Sequence, residues 1–78
     1  MTEKEIQEIL RQQNEEFRRL FQEHRELDAL LMDMSKKPYL TPDEELEKKR
    51  MQKEKLLKKD RMAELVREYK KTHNLVGQ

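Results

Sequence analysis

His24 and Asp28 stand four residues apart, the spacing that puts two side chains on one face of a helix. Histidine beside a carboxylate is the pairing of a catalytic dyad or of a metal site. A dyad also needs a nucleophile and a pocket, and a metal needs three or four ligands. The chain has no cysteine, its other histidine, His73, lies far away, and no nucleophile stands near. The plainer reading is a polar layer in a helix seam that fixes register: His24 and Asp28, with Lys53 and Asp60 facing them from a second helix. On this reading the chain is not an enzyme and has no catalytic residue, metal or other cofactor, nor a small-molecule substrate.

A second chemistry is suggested by charge. Lys48 to Arg61 holds eight basic side chains against Glu54 and Asp60, a net of +6. Lys48, Lys55, Lys58 and Lys59 would be the phosphate contacts of an RNA- or ribosome-associated factor. The segment has no aromatic residue to stack on a base. A solvated face opposite an acidic arm is the plainer explanation, so nucleic acid is the alternative partner, not the first.

Adaptable apolar contact is the third possibility. Met32 and Met34 cluster with Leu30 and Leu31, followed by Tyr39 and Leu40. Methionine-rich surfaces accommodate varied partners, so this end either docks a protein or simply closes the core.

The elements that must position these residues are legible. Gly77 is the only glycine, and Pro38 and Pro42 sit together mid-chain. Two breaker-free stretches around one break read as helix, turn, helix. The first helix is expected from about Glu3 to about Ser35, with Thr2 as N-cap, Glu5 closing a capping box, and Met1 and Ile6 as a hydrophobic staple. Ile6, Leu10, Gln13, Phe17, Leu20, His24, Leu27, Leu31 and Met34 step by four and three throughout, a heptad seam. Residues 36–41 make the turn. Thr41 as N-cap, Pro42 at the first helical position and Glu44 then start a second helix, expected to about Thr72. Its stripe reads as Leu46, Leu56, Ala63, Val66 and Tyr69, with Leu57, Met62 and Leu65 on the flanks and Lys49, Lys53 and Asp60 between. The tail from His73 to Gln78 is expected to fray.

So short a turn folds the arms into an antiparallel helical hairpin, all-α with coiled-coil-like packing, in a single domain. Position i then faces a residue near 80 minus i, within a turn. Residues 1–34 carry 5 basic and 9 acidic side chains, net −4, and residues 35–78 carry 13 and 8, net +5, which favours that pairing.

With 45% charged and only 33% hydrophobic residues, the 78-residue chain is held from disorder by the arrangement of its apolar side chains. A core this small gives roughly 3–5 kcal/mol, and disulfides are excluded, leaving association as the supplement. Ile9, Phe21 and Leu30 widen the first stripe beyond what the second helix can cover. With Phe17, Met32, Met34 and Tyr39 they are the expected protein-contacting residues, toward a second copy in a homodimer or higher oligomer, or a host complex. The charged start has no apolar signal region, and no apolar run nears the roughly 20 residues of a membrane span, so a soluble cytoplasmic protein is expected.

From Asn14 to Val66 the chain resembles the YdcH-like family of short bacterial proteins of unknown function. The likeness lies in Phe17-x-x-Leu20-Phe21-x-x-His24-x-x-Leu27-Asp28, in the break at Pro38 to Thr41 before an acidic helix start, and in Lys53-x-Lys55-Leu56 followed by Lys59-Asp60. The resemblance implies an oligomeric helical hairpin with no assigned activity. His24, Leu27, Asp28, Lys53, Leu56, Lys59 and Asp60 would be its motif positions. Leu56-Leu57-Lys58-Lys59-Asp60 departs from the family's Leu-x-Leu-Lys-Asp, placing the second apolar residue out of step.

Overall fold

A computed structural model describes residues 1–73. It is all-helical, with α1 (Glu3–Gln13), α2 (Glu15–Ser35) and α3 (Pro42–Thr72). The expected fraying beyond His73 lies outside the described residues; His73 itself caps α3.

Both expected helix starts form complete capping boxes. Thr2 accepts from Glu5 N–H while Glu5 returns a bond to Thr2 N–H, and Thr41 and Glu44 do the same at α3. The Lys37 ammonium also pairs with Glu44, tying the turn to the α3 start. Together with the Thr41 amide, it holds the Glu44 carboxyl down at about 2.

The expected first helix is two helices. Asn14 leaves the helical region at φ −116° and ψ 114°, and serves as C-cap of α1 and N-cap of α2. Its side chain accepts from Phe17 N–H at 2.9 Å. Its amide still donates to Leu10 at 2.8 Å, and its carbonyl accepts from Arg18 at 3.0 Å. A helix break normally strands several backbone groups; here most of the nearby ones keep partners, so the break is cheap.

Beyond Asn14, α1 turns back along α2. Arg11 sits over the Phe21 ring, 4.3 Å from its centre. Glu3 and Gln7 border one cavity with Phe21, His24 and Asp28. The physical reason is cover. In the hairpin register Ile6 of a straight arm would lie past the end of α3. Folded back, Ile6 is fully buried and Leu10 nearly so, in a core with Phe17, Leu20, Leu65 and Val66. Burying two such side chains is worth roughly 1.5–3 kcal/mol each, more than a well-capped break costs.

The α2–α3 pairing follows the expected register. Asp28 meets Lys55, Glu23 meets Lys58 and Glu16 meets Arg61, each within a turn of it. Toward its end α3 turns the expected residues inward, with Val66 buried and Ala63 and Tyr69 half-buried, but along its first half the inward face is not the expected one. Met51, Leu65 and Val66 are buried, with Lys48, Lys55, Lys58 and Met62 half-buried between them. Leu46 and Leu56, assigned to the stripe, are exposed. The acidic side chains of α2 draw Lys55, Lys58 and Arg61 toward the seam, and lysine stems cover apolar surface there while their ammonium groups stay wet.

Candidate functional site

The groove between α2 and α3 has two sides. The α1 side holds a cavity of about 390 Å³. Its apolar wall is Phe17, Phe21, Met62 and Val66; its polar end is His24, Asp28, Lys55 and Lys59. Of the four residues expected to form a polar layer, two line this cavity. His24 and Asp28 are in it, but Lys53 and Asp60 are exposed and belong to no ion pair among the described residues. Lys55 and Lys59 stand in their place, because α3 is rotated from the phase that Leu46 and Leu56 suggested.

Lys55 Nζ donates to the Asp28 carboxylate at 2.5 Å, which lowers the Asp28 pKa. Burial pushes the His24 imidazole below its ordinary value and Lys55 adds to this, while Asp28 acts the other way. His24 Nε2 is buried and meets no hydrogen-bond partner among the described residues. His24 thus sits between Lys55 and Lys59 with its protonated form disfavoured. Among the described residues no three histidine, aspartate or glutamate side chains converge as metal ligands. No helix among them is long and apolar enough to cross a membrane.

The basic residues of α3 divide. Lys58 donates to Glu23 at 3.3 Å, and Arg61 grips Glu16 through two bonds of 2.8 and 3.1 Å. That pairing lowers the Glu16 pKa and raises that of Arg61. With Lys55 on Asp28, these cations already have acidic partners; Lys59 is exposed and Lys48 half-buried. The acidic partners of the basic segment were visible in the sequence as charges placed near i and 80 minus i.

The other side of the hairpin receives nothing from α1. There Leu20, Glu54, Leu57 and Lys58 line an open groove. Leu57 is 59% exposed, and Leu30 of α2 is 51% exposed. Of the other expected contact residues, Met32 and Tyr39 are exposed and Met34 is half-buried at the turn end. Phe17 is buried in the core, and Phe21 is partly covered by α1. Ile9 is half-buried. Leu57, absent from the expected contact set, was visible as the out-of-step leucine of the family-like segment.

No curated protein and no solved structure matches the chain. A family model does, over residues 17–66. That span is the α2–α3 hairpin from Phe17 to Val66, and it leaves α1 outside. It agrees with the YdcH-like resemblance. The chain belongs to the family described as Protein of unknown function (DUF465).

Proposed function

We propose that the protein is a non-enzymatic protein–protein interaction module, whose hairpin takes a partner's apolar helical segment on the side away from α1. The observation that carries this is Leu57, 59% exposed beside the groove floored by Leu20. Leu46 and Leu57, both exposed, are eleven residues apart and so lie nearly in line on α3, and exposed apolar surface gathered on one flank marks a contact site. Glu54 and Lys58 at the groove supply a polar rim. The partner is a second copy or a host complex, met in the cytoplasm.

RNA association through Lys48, Lys55, Lys58 and Lys59 is the weaker reading, since Lys55 and Lys58 are engaged by Asp28 and Glu23.

The test places a photo-crosslinking amino acid at Leu57 in living cells, with exposed Glu68 as control position. A discrete protein adduct at 57 and not at 68 supports the module. Adducts that disappear on nuclease treatment would favour the RNA reading, and equal labelling at both positions would remove the surface.

A further inference from the structure

We propose that α1 is an exchangeable arm. By straightening at Asn14, a chain gives its α1 to the groove of a second copy and receives that copy's α1 in return. This uses the side of the hairpin opposite Leu57, so it stands or falls separately from the partner surface proposed above.

The groove beside α2 and α3 is shaped for an α1 helix: Ile6 is fully buried there and Leu10 nearly so. What ties α1 to its own hairpin is one non-helical residue, Asn14. The apolar stripe takes no notice of that break. Ile6, Leu10, Gln13, Phe17, Phe21 and His24 step by three or four without a change of phase. A helix unbroken from Glu3 to Ser35 would therefore present Ile6 and Leu10 on the same side as Phe17, Phe21 and His24. These are the residues that line or flank the α1 slot.

The contacts are also arranged symmetrically about the hinge. Near it, Arg18 Nε donates to the Arg11 carbonyl at 3.1 Å. Farther out, Arg11 meets Phe21, and farthest, Glu3 and Gln7 share the cavity with His24 and Asp28. Two straight helices running antiparallel and crossing beside their Asn14 residues bring the same pairs together, now between chains. Glu3 again faces the cavity that holds Lys55 and Lys59, so charge complementarity carries over. The exchange closes on itself as a two-fold dimer, each chain filling the slot it vacates in the other. With a single hinge residue, straightening needs only Asn14 to return to helical φ and ψ.

The decisive experiment is sedimentation equilibrium of the full chain from micromolar to millimolar concentration, for the natural sequence, for Asn14→Leu and for an insertion of Gly-Ser-Gly-Ser after Gln13. Asn14→Leu removes the cap of the bent form, worth about fivefold per chain. The dimer dissociation constant should fall by about tenfold or more. The lengthened hinge should weaken the dimer or abolish it. In the dimer, a half-labelled sample read by isotope-filtered NMR should show Ile6 methyl to Phe17 ring contacts between chains. A natural chain that stays monomeric at millimolar concentration, with Asn14→Leu either likewise monomeric or unfolded, overturns the proposal. So does any dimer in which the Ile6–Phe17 contacts stay within one chain, which would instead point to association through the Leu57 side.

Discussion

Arg11 and Phe21 are ten residues apart in sequence, yet the guanidinium carbon lies 4.3 Å from the centre of the ring. On a straight helix their backbones would be separated by about 15 Å. The contact exists only because the chain bends at Asn14, and it covers an aromatic face that the hairpin alone leaves open. Arg11→Ala should cost about 0.5–1 kcal/mol, the range of an exposed cation–π pair. Urea denaturation would measure it, and α1 should remain helical by circular dichroism.

Core and surface leucine-type residues should separate cleanly. Ile6 is fully buried, so Ile6→Ala should lose about 2–5 kcal/mol. Leu57 faces water in the isolated chain, so Leu57→Ala should stay within about 0.5 kcal/mol. The urea midpoints of the two variants test this directly. A large loss from Leu57→Ala would place that side chain in the core.

His24 predicts a pH dependence of defined sign. Its folded pKa lies below the ordinary 6.5, first through burial and then through Lys55. The folded state therefore takes up a proton less readily than the unfolded chain. The contribution is complete above pH 6.5 and is lost as pH falls from there toward the folded value. His24→Leu should flatten the urea midpoint across that window, before the carboxylates begin to titrate.

Acid should loosen the turn only well below the ordinary carboxylate range. The Glu44 carboxyl, ordinarily at 4.5, is held at about 2 by Lys37 and the Thr41 amide. Its stabilising share is present above pH 4.5 and disappears as pH falls toward 2. Asp28 and Glu16 are lowered in the same direction by Lys55 and Arg61. Protection of the amides in the first turn of α3 should therefore fall as pH drops from 4.5 toward 2 in the natural chain, whereas Glu44→Gln should have the lower protection throughout, without that step.

Capping chemistry made the helix starts readable: Thr2-Glu5 and Thr41-Glu44 are local signals, and both form as their residue types dictate. The hairpin register was readable too, because so short a turn fixes it and opposite charge on the two arms favours the same pairing. Asn14 was the missed signal. Asparagine is among the best N-caps, and Glu15 and Glu16 after it favour a first turn. An unbroken heptad pattern spoke for continuity, and only the short reach of α3 decides against it. The inward face along the first half of α3 was misjudged because leucine was weighted above lysine. Lys55 and Lys58 reach their carboxylates from seam positions, and Leu46, Leu56 and Leu57 are turned out as a result. The cavity residues His24 and Asp28 could be placed from one helix, whereas Lys59 required the true rotation of the other.

That rotation has a further consequence. Apolar contact through Met51, Leu65 and Val66 does not alone choose how α3 sits about its own axis; a ladder of carboxylate–cation rungs, from Asp28 with Lys55 to Glu16 with Arg61, adds to the choice. Such rungs weaken when ions crowd around them or when acid neutralises their oxygens. Under those conditions the cylinder is freer to roll, and a roll that carries Leu56 or Leu46 inward gives a second way to pack the same hairpin. The protein's sensitivity to its ionic surroundings is thus a matter of which flank α3 shows to a visitor, as well as how firmly it is held.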